Sequence, residues 1–275
     1  MRRLRAVFLA PAGALVLATI ALPLMIVCAY SFLTRGAYGG VEHPFTLENY
    51  QRLFDPLYGI IFLRSFWIAA ISTLLCLVFG FPLALFIAQS GKRKDLYLNL
   101  VILPFWTSFL IRTYAWMFLL RDTGLINTVL QSLHLIREPL PLLYNDGAVI
   151  LGLVYAYLPF TVLPIYATLE RLDKTLLEAA ADLGARPFDA LLRVTIPLSK
   201  PGLIAGAVLV FVPCLGTYLT SDLLGGSKTI LIGNLVQDQF TSARDWPFGA
   251  AASLALMAMA VILLFAMRRH SEELL

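Results

Sequence analysis

A carboxylate and an aromatic ring lie four residues apart near the end of a long apolar run, at Asp222 and Tyr218. Residues four apart share one face of an α-helix, so the two side chains are expected to lie side by side. A carboxylate beside an aromatic ring suits an organic ammonium ion, through ion pairing and cation–π contact. The pair therefore predicts part of a solute path, although Asp222 would also be satisfied by an ion pair with Lys228 or Arg112.

Three side chains in other apolar runs could extend this path, namely Trp106, Arg112 and Tyr155. The aromatic rings could add cation–π surface, or they could belong to the belt that Trp and Tyr form at membrane interfaces. Arg112 is expected about 24 Å along a helix that begins near Leu96, at a rise of about 1.5 Å per residue, which places it near the outer interface. There it would either line the solute path or act as a structural anchor whose charge reaches interfacial water.

The polar segment from Glu170 to Lys200 is the second region with candidate functional residues. Thr175 and Glu178 have the spacing of a capping box, which predicts a helix that begins near Thr175. Gly184 is expected to end that helix, and Pro187 suits the first turn of a second short helix. The sequence thus predicts two short helices joined by a turn at the membrane surface. Glu178 either completes its own cap or meets another protein, or does both.

Catalytic and metal-binding patterns are absent from the sequence. No Asp or Glu interrupts the apolar runs, whereas ion-driven carriers usually keep a carboxylate within the membrane. The stretch around Lys228 lacks the glycines that a phosphate-binding loop requires. The His and Cys residues are scattered without metal-ligand spacing. We therefore predict that the chain is not an enzyme, has no ATPase site, metal or cofactor of its own, and binds no nucleic acid.

Apolar helices must position all of these residues. Of the 275 residues, 59% are hydrophobic and only 14% are charged, whereas a soluble domain has about a quarter of its residues charged. About 20 apolar residues cross a bilayer as a helix, and the sequence contains six such runs. We expect an all-α integral membrane protein with one domain, residues 1–275, and six transmembrane helices at about residues 6–33, 65–90, 96–118, 147–169, 201–221 and 246–267.

The distribution of positive charge orients these helices. Of the 21 Lys and Arg residues, 13 lie near the N-terminus, around Lys92, in residues 170–200 and after the sixth run. Positively charged segments stay on the cytoplasmic side of the membrane. Both termini and the segment 170–200 are therefore predicted in the cytoplasm. The first run is about twice as long as the core of a signal peptide, so we interpret it as a retained helix.

The segment 170–200 also resembles the EAA loop of ABC importer permeases. In that loop, Glu-Ala-Ala is followed by three residues, a Gly, nine residues and then Ile-x-Leu-Pro. The residues that match are Glu178, Ala179, Ala180, Gly184 and Val194-Thr195-Ile196-Pro197. Val and Ile in the last group are mild departures from the family pattern. The resemblance implies the fold of a type I ABC importer permease, in which the first four of these residues couple the permease to the subunit that hydrolyses ATP.

Five further segments are similar to the first permease subunit of spermidine/putrescine importers, a branch of this family. They are residues 45–50, 103–108, 111–114, 221–226 and 244–250. The same branch includes importers of opines, phosphonates and other small solutes. The resemblance implies ATP-driven import by alternating access, with a polyamine as the expected solute. An opine, an aminoalkylphosphonate or an amino-acid-like solute is the alternative, and a secondary carrier is less favoured.

Family membership also implies a complex in the bacterial inner (cytoplasmic) membrane, where this chain would be a multi-pass subunit surrounded by lipid. The expected partners are a second, related permease subunit that completes a heterodimer, two ATP-binding cassette subunits and a periplasmic solute-binding protein. ATP and Mg²⁺ would be bound by the cassette subunits.

Overall fold

The computed structural model describes the backbone of residues 2–272, and the side-chain environments of residue 13 and of residues 15–173 and 175–265. Two compact units are distinguished within this range. The first comprises the described chain up to Ile60 together with Leu235–Met259, and the second comprises Ile61–Asn234 and the described chain from Ala260. Apart from one short hairpin, the regular elements within residues 2–272 are helical.

The elements follow one another in a simple order along the described chain. They are α1 (Arg2–Ser31), β1 (Leu33–Arg35), β2 (Val41–Phe45), α2 (Glu48–Arg52), α3 (Pro56–Gln89), α4 (Lys94–Ile102), α5 (Phe109–Leu120), α6 (Leu125–Ser132), α7 (Asp146–Glu170), α8 (Lys174–Asp182), α9 (Pro187–Ala190), α10 (Ile196–Leu198), α11 (Lys200–Gly216), α12 (Ile232–Phe240) and α13 (Trp246–Glu272). Short 3₁₀ turns lie at residues 91–93, 103–106 and 226–228, and π-helical turns lie at residues 191–195 and 221–225.

Among the residues whose side chains are described, three helices are long and apolar enough to cross a membrane: α3, α7 and the part of α13 from Trp246 to Phe265. Two bent helix pairs raise that number to five if each pair forms one span. The described side chains of α1 give a shorter apolar helix, Leu15–Ser31. The fold is thus that of a multi-pass helical membrane protein, while the count of six spans and the cytoplasmic position of the termini stay predictions.

The first unit is organised around the end of α1. Strands β1 and β2 form an antiparallel hairpin whose tip contains Gly39 and Gly40, both at positive φ. The buried side chain of Asn49, in α2, donates through Nδ2 to the carbonyl oxygen of Ser31 at 3.1 Å and to that of Leu33 at 2.8 Å. This one amide therefore holds α2 against both the end of α1 and the hairpin.

The third predicted span is bent rather than straight. We expected one helix over residues 96–118, but the segment Gly91–Trp106 meets the segment Phe109–Ser132 at an angle of 89°. Thr107 and Ser108 form the corner with extended backbone, at ψ angles of 151° and 136°. Arg112 consequently lies near the start of α5, and the expected distance of about 24 Å along one straight helix was wrong.

The fifth predicted span, residues 201–221, is interrupted near its end. Helix α11 stops at Gly216, and Thr217 has extended backbone with a ψ of 139°. Pro213 and Gly216 both weaken a helix at this end, the first because it lacks an amide hydrogen and the second because of its backbone freedom. At the other end, the helices before and after Ser199 meet at 65°.

The second unit contains a close crossing of α7 and α11. Gly202 and Gly206 lie four residues apart on α11, a spacing that lets two membrane helices approach closely. A β-carbon at Gly202 would lie 2.7 Å from the carbonyl oxygen of Pro164, and one at Gly206 would lie 3.2 Å from Cα of Thr161. The two helices therefore touch through their backbones.

A buried apolar cluster packs α3 against α7 in the same unit, with Ile87 and Ile165 among its members. Next to this cluster, Lys94 and Glu170 form an ion pair that joins the start of α4 to the end of α7. Helix α7 is thus held by α11 through backbone contact and by α3 through apolar packing, immediately before the polar segment that follows Glu170.

Replacement of Gly202 by Val should separate α7 from α11. The added side chain meets backbone atoms of Pro164 and Ile165, which cannot rotate away, and overpacking of this kind costs about 3 kcal/mol. We expect a loss of roughly 6 °C or more in the thermal midpoint of the detergent-solubilised protein. Gly59→Val is the matched control, because a β-carbon at Gly59 in α3 meets no described atom within 4 Å. Equal midpoints for the two variants would contradict the close crossing.

Candidate functional site

Helix α8, which carries Glu178, begins close to the predicted position near Thr175 but has a different cap. Oδ1 of Asp173 accepts a hydrogen bond from the amide of Thr175 at 3.0 Å, so Asp173 is the N-cap and α8 starts at Lys174. The predicted capping box is wrong, because Asp is a stronger N-cap than Thr and precedes it by two residues. The hydrogen bond from Thr175 holds the pKa of Asp173 below its usual value.

Glu178 is consequently not used to cap its own helix. Its side chain is exposed, and it has no hydrogen bond or ion pair with any residue whose side chain the structure describes. Of the two alternatives that the sequence left open for this residue, the role in the cap is excluded by the Asp173 contact.

The end of α8 follows the prediction. Gly184 has a φ of +84°, its amide donates to the carbonyl oxygen of Ala181 at 2.9 Å, and the amide of Ala185 donates to that of Ala180 at 3.0 Å. This pair of bonds is a Schellman motif, which requires a left-handed residue after the helix and favours Gly there. Pro187 is the first residue of α9, also as predicted.

Apolar side chains are exposed on both sides of this turn, in a segment outside the apolar runs. Leu183 is 89% exposed, Phe188 is 67% exposed and Leu176 is 46% exposed. Ala179 is exposed and Ala180 is half-buried, so small residues accompany the large ones. An apolar surface of this kind, edged by charges such as Glu178, is typical of a protein–protein contact. We call residues 170–200 the coupling segment, after the role that the resemblance to the EAA loop predicts for them.

Substitution of Gly184 should act through backbone strain alone. A β-carbon there meets no described atom within 4 Å, but the φ of +84° is unfavourable for residues with a side chain, at about 1–2 kcal/mol. Because Asn tolerates this region and β-branched residues do not, we expect ATP-driven uptake to be nearly retained by Gly184→Asn, reduced by Gly184→Ala and lost by Gly184→Val. Initial uptake rates, normalised to assembled protein, measure the series. Equal rates for the Asn and Val variants would show that the left-handed turn is not required.

The predicted solute path centres on an irregular turn after α11. The amide of Asp222 donates to the carbonyl oxygen of Tyr218 at 2.9 Å, so the two residues lie one turn apart. Both side chains are exposed. The π-helical turn 221–225, which contains Asp222, packs against both α5 and α7. These are the helices that carry Arg112 and Tyr155, so the turn with Asp222 packs against two helices that carry other predicted path residues.

The remaining path residues differ in their surroundings. Trp106 is 84% exposed, just before the corner that leads into α5. The ring of Tyr155 packs edge-on against Trp116, with ring centroids 5.5 Å apart. The guanidinium of Arg112 lies over the ring of Phe105, 4.6 Å from its centroid, and Nε and Nη1 are buried without a hydrogen-bond partner among the described residues.

Sequence reasoning missed Asn234, which organises this turn. Its buried side chain accepts hydrogen bonds from Oγ of Ser221 at 2.6 Å and from the amide of Leu231 at 2.9 Å. Its Nδ2 donates to the carbonyl oxygen of Tyr218 at 3.2 Å and to Oδ1 of Asp222. The one signal in the sequence that could have identified Asn234 is its polar side chain within the apolar stretch Ile230–Val236. That signal does not predict which residues it bonds to.

A second polar cluster fixes the loop between Asp222 and Asn234. Arg64, in α3, donates to Oδ1 of Asp146 at 2.6 Å and to the carbonyl oxygen of Lys228 at 2.8 Å. The hydroxyl of Thr229 also donates to Oδ1 of Asp146 at 2.6 Å. The loop is thereby tied to α3 and to the start of α7, which limits the conformations open to the Asp222 turn.

Comparison with known proteins establishes the family. Residues 79–273 match the family described as "Binding-protein-dependent transport system inner membrane component". The chain belongs to this family. This inner membrane component is 46% identical to the spermidine/putrescine transport system permease protein PotB of Escherichia coli (strain K12), over 92% of each chain.

Two crystal structures share the fold of this inner membrane component. A chain of a bacterial ABC transporter that imports the acidic polysaccharide alginate has a TM-score of 0.78 at 17% identity, covering 98% of this chain and 95% of its own. The alginate transporter in complex with an alginate-bound periplasmic protein has a TM-score of 0.75 at 19% identity, covering 98% and 94%. The predicted class, a type I ABC importer permease of the bacterial inner membrane, is confirmed.

Proposed function

We propose that the chain is a permease subunit of an ATP-driven importer for polyamines such as spermidine and putrescine. The observation that carries this proposal is the 46% identity to a spermidine/putrescine permease, which extends over 92% of both chains and is not confined to one motif. The chain supplies the membrane passage, and it is not itself an enzyme.

The chemistry of the Asp222 turn fits a polyamine. Alkyl amines are protonated at neutral pH, as the Lys side chain is, and a chain of ammonium groups needs carboxylates and aromatic faces. The exposed side chains of Asp222 and Tyr218 offer one of each. Trp106 and Tyr155 add aromatic surface on or beside helices that reach the same turn.

Arg112 has a different role in this proposal. Its charge has the sign of the solute, so direct contact would repel a polyamine. Its guanidinium instead covers Phe105, which lies on the other side of the 89° corner. We therefore assign Arg112 to stabilising the bend between the turn at residues 103–106 and α5, and not to binding the solute.

One helix connects the coupling segment to the Asp222 turn. Helix α11 begins directly after the bend at Ser199 and ends at Gly216, two residues before Tyr218. Helix α7 enters the coupling segment from the other side, and it contacts both α11 and the turn. Because Gly202 and Gly206 hold the two helices backbone to backbone, a displacement of the coupling segment would move them together and change the solute path at their other end.

The partners in this proposal follow from the family. Glu178, Ala179, Ala180 and Gly184 would contact one of two ATP-binding cassette subunits, which bind ATP and Mg²⁺. A periplasmic solute-binding protein would deliver the polyamine, and a related alginate transporter has been crystallised with its periplasmic protein. The exposed apolar surface around Leu183 and Phe188 supports a protein contact at the coupling segment.

The test of this function is uptake by the reconstituted complex. The chain is purified with its cassette subunits and second permease, placed in proteoliposomes with ATP inside, and supplied with the solute-binding protein and labelled spermidine or putrescine. ATP-dependent uptake that a polyamine excess inhibits supports the proposal. Uptake of an opine, an aminoalkylphosphonate or an amino acid, without polyamine uptake, would contradict the assignment of a polyamine as the solute. It would still support the assignment of the chain to an ATP-driven importer.

The subunit composition gives a separate expectation. One chain supplies one coupling segment, whereas two cassette subunits need two. We expect one copy of this chain beside one related, non-identical permease in the intact complex, as measured by native mass spectrometry. A functional complex with two copies of this chain and no second permease would contradict the heterodimer.

A further inference from the structure

We infer that Asn234 is a positioning residue that holds the Asp222 carboxylate in the solute path. The inference rests on the proposed polyamine function and adds to it a residue that does not itself touch the solute. Asn234 is only 5% exposed, whereas the Asp222 side chain is exposed. The buried amide is thus behind the carboxylate, as seen from the side where a solute can approach.

The hydrogen bonds of Asn234 leave it no alternative orientation. Its Oδ1 accepts from a hydroxyl and from the amide of Leu231, and its Nδ2 donates to the Tyr218 carbonyl and to Asp222. Because a side-chain amide has two donor hydrogens and one acceptor oxygen, a flip of the amide would place Nδ2 against the Leu231 amide and Oδ1 against the oxygens of Tyr218 and Asp222. The group next to the Asp222 oxygen is therefore a donor, which suits an ionised carboxylate.

The backbone around Asn234 is fixed independently of these bonds. The amide of Ile232 donates to Oγ of Ser65 at 2.8 Å. Gly233 lies directly against the carbonyl group of Thr217, where a β-carbon would overlap it. The two residues before Asn234 are thus held in place, Ile232 by Ser65 of α3 and Gly233 by close packing against Thr217. The helix break at Thr217 leaves the following residues without support from α11, which explains why the Asp222 turn needs an outside anchor.

A buried asparagine of the same kind serves as a control within the same unit. Asn127 is fully buried, donates to the carbonyl oxygens of Arg121 and Leu140, and accepts from the amide of Leu140. Its hydrogen bonds involve backbone groups only, so it braces a loop without touching a carboxylate. Asn127→Ala removes a comparable set of hydrogen bonds, so it should show how the complex responds when only bonds that hold the backbone are lost.

The experiment compares Asn234→Ala with Asn127→Ala in the reconstituted importer, with polyamine concentration varied and rates normalised to assembled complex. We expect Asn234→Ala to raise the KM for spermidine about tenfold, since a hydrogen bond to a charged group contributes on that scale, with maximal rate within about twofold. Asn127→Ala should lower the yield of complex and leave the KM unchanged. Asn234→Ser, which keeps a small polar group, carries the same expectation for KM if the alanine variant does not assemble.

A double variant tests whether Asn234 affects the KM through the Asp222 carboxylate or independently of it. In the Asp222→Asn background, Asn234→Ala should change the KM by less than about twofold, because the carboxylate that it holds is already absent. An unchanged KM in Asn234→Ala, or the same fold-change in both backgrounds, would overturn the inference while wild-type uptake still supports the polyamine function. Absence of polyamine uptake by the wild-type complex would overturn the proposed function, and the inference with it.

Discussion

Glu178→Lys should abolish ATP-driven uptake, while the protein still inserts in the membrane and assembles with the second permease. Glu178 is exposed on α8, and the cap of that helix is made by Asp173 instead. The substitution should therefore leave the local fold intact and reverse one charge on the surface that we propose contacts the cassette subunit. A reversed charge at a protein interface costs about 2–5 kcal/mol, which corresponds to a loss of at least roughly 30-fold in binding.

The measurement combines uptake with copurification of the cassette subunits through a tag on this chain. Glu138→Lys is the matched control, because Glu138 is also exposed but lies in the loop between α6 and α7, away from the coupling segment. The control should transport at the wild-type rate. Normal uptake by Glu178→Lys would show that this residue is not part of the contact with the cassette subunit. Lost uptake with normal ATPase activity would show that the cassette subunit still binds but that ATP hydrolysis is no longer coupled to transport.

Local signals in the sequence predicted the end of α8 and the beginning of α9 correctly. Gly184 ends α8 and Pro187 begins α9 because each residue acts through its own backbone, at positive φ or without an amide hydrogen. The cap of α8 was predicted wrongly because Asp173 and Thr175 are both acceptable caps. A spacing rule does not rank two caps that compete for the same amide groups.

Tertiary contacts determined what the sequence could not predict. The corner at Thr107 and Ser108 has neither Gly nor Pro, so no local signal in the sequence marks its extended backbone. The Gly202 and Gly206 spacing indicates a close helix contact, yet it does not name α7 as the partner. Asn234 bonds to residues up to 16 positions away, a range at which hydrophobic periodicity carries no information.

The Asp222 pair was predicted from helical spacing, and it lies instead in a turn after the helix has ended. The hydrogen bond between the Asp222 amide and the Tyr218 carbonyl keeps the two residues one turn apart, although α11 stops at Gly216. Because the turn is irregular, a regular helix does not fix the positions of the Asp222 and Tyr218 side chains. Their positions depend instead on contacts from outside the turn, such as the hydrogen bonds of Asn234.

Asp222→Asn should raise the KM for polyamine uptake roughly tenfold or more, the scale of losing a hydrogen-bonded charge, without lowering assembly or basal ATPase activity. The variant keeps the shape of the side chain and an oxygen that can accept from Asn234, so the turn should stay folded. Asp122→Asn is the matched control, because Asp122 is exposed in the loop between α5 and α6. The control should leave the KM unchanged.

The direction of the change at Asp222 also reports the charge of the solute. A carboxylate attracts an ammonium group and repels a phosphonate or a carboxylate, so its neutralisation should weaken uptake of a polyamine and strengthen uptake of an anionic solute. Tyr218→Phe should behave like wild type and Tyr218→Leu should raise the KM, because the aromatic face and not the hydroxyl contacts the cation. Unchanged KM values for spermidine in Asp222→Asn and Tyr218→Leu would remove this turn from the polyamine path, since neither the charge nor the ring would then contribute to binding.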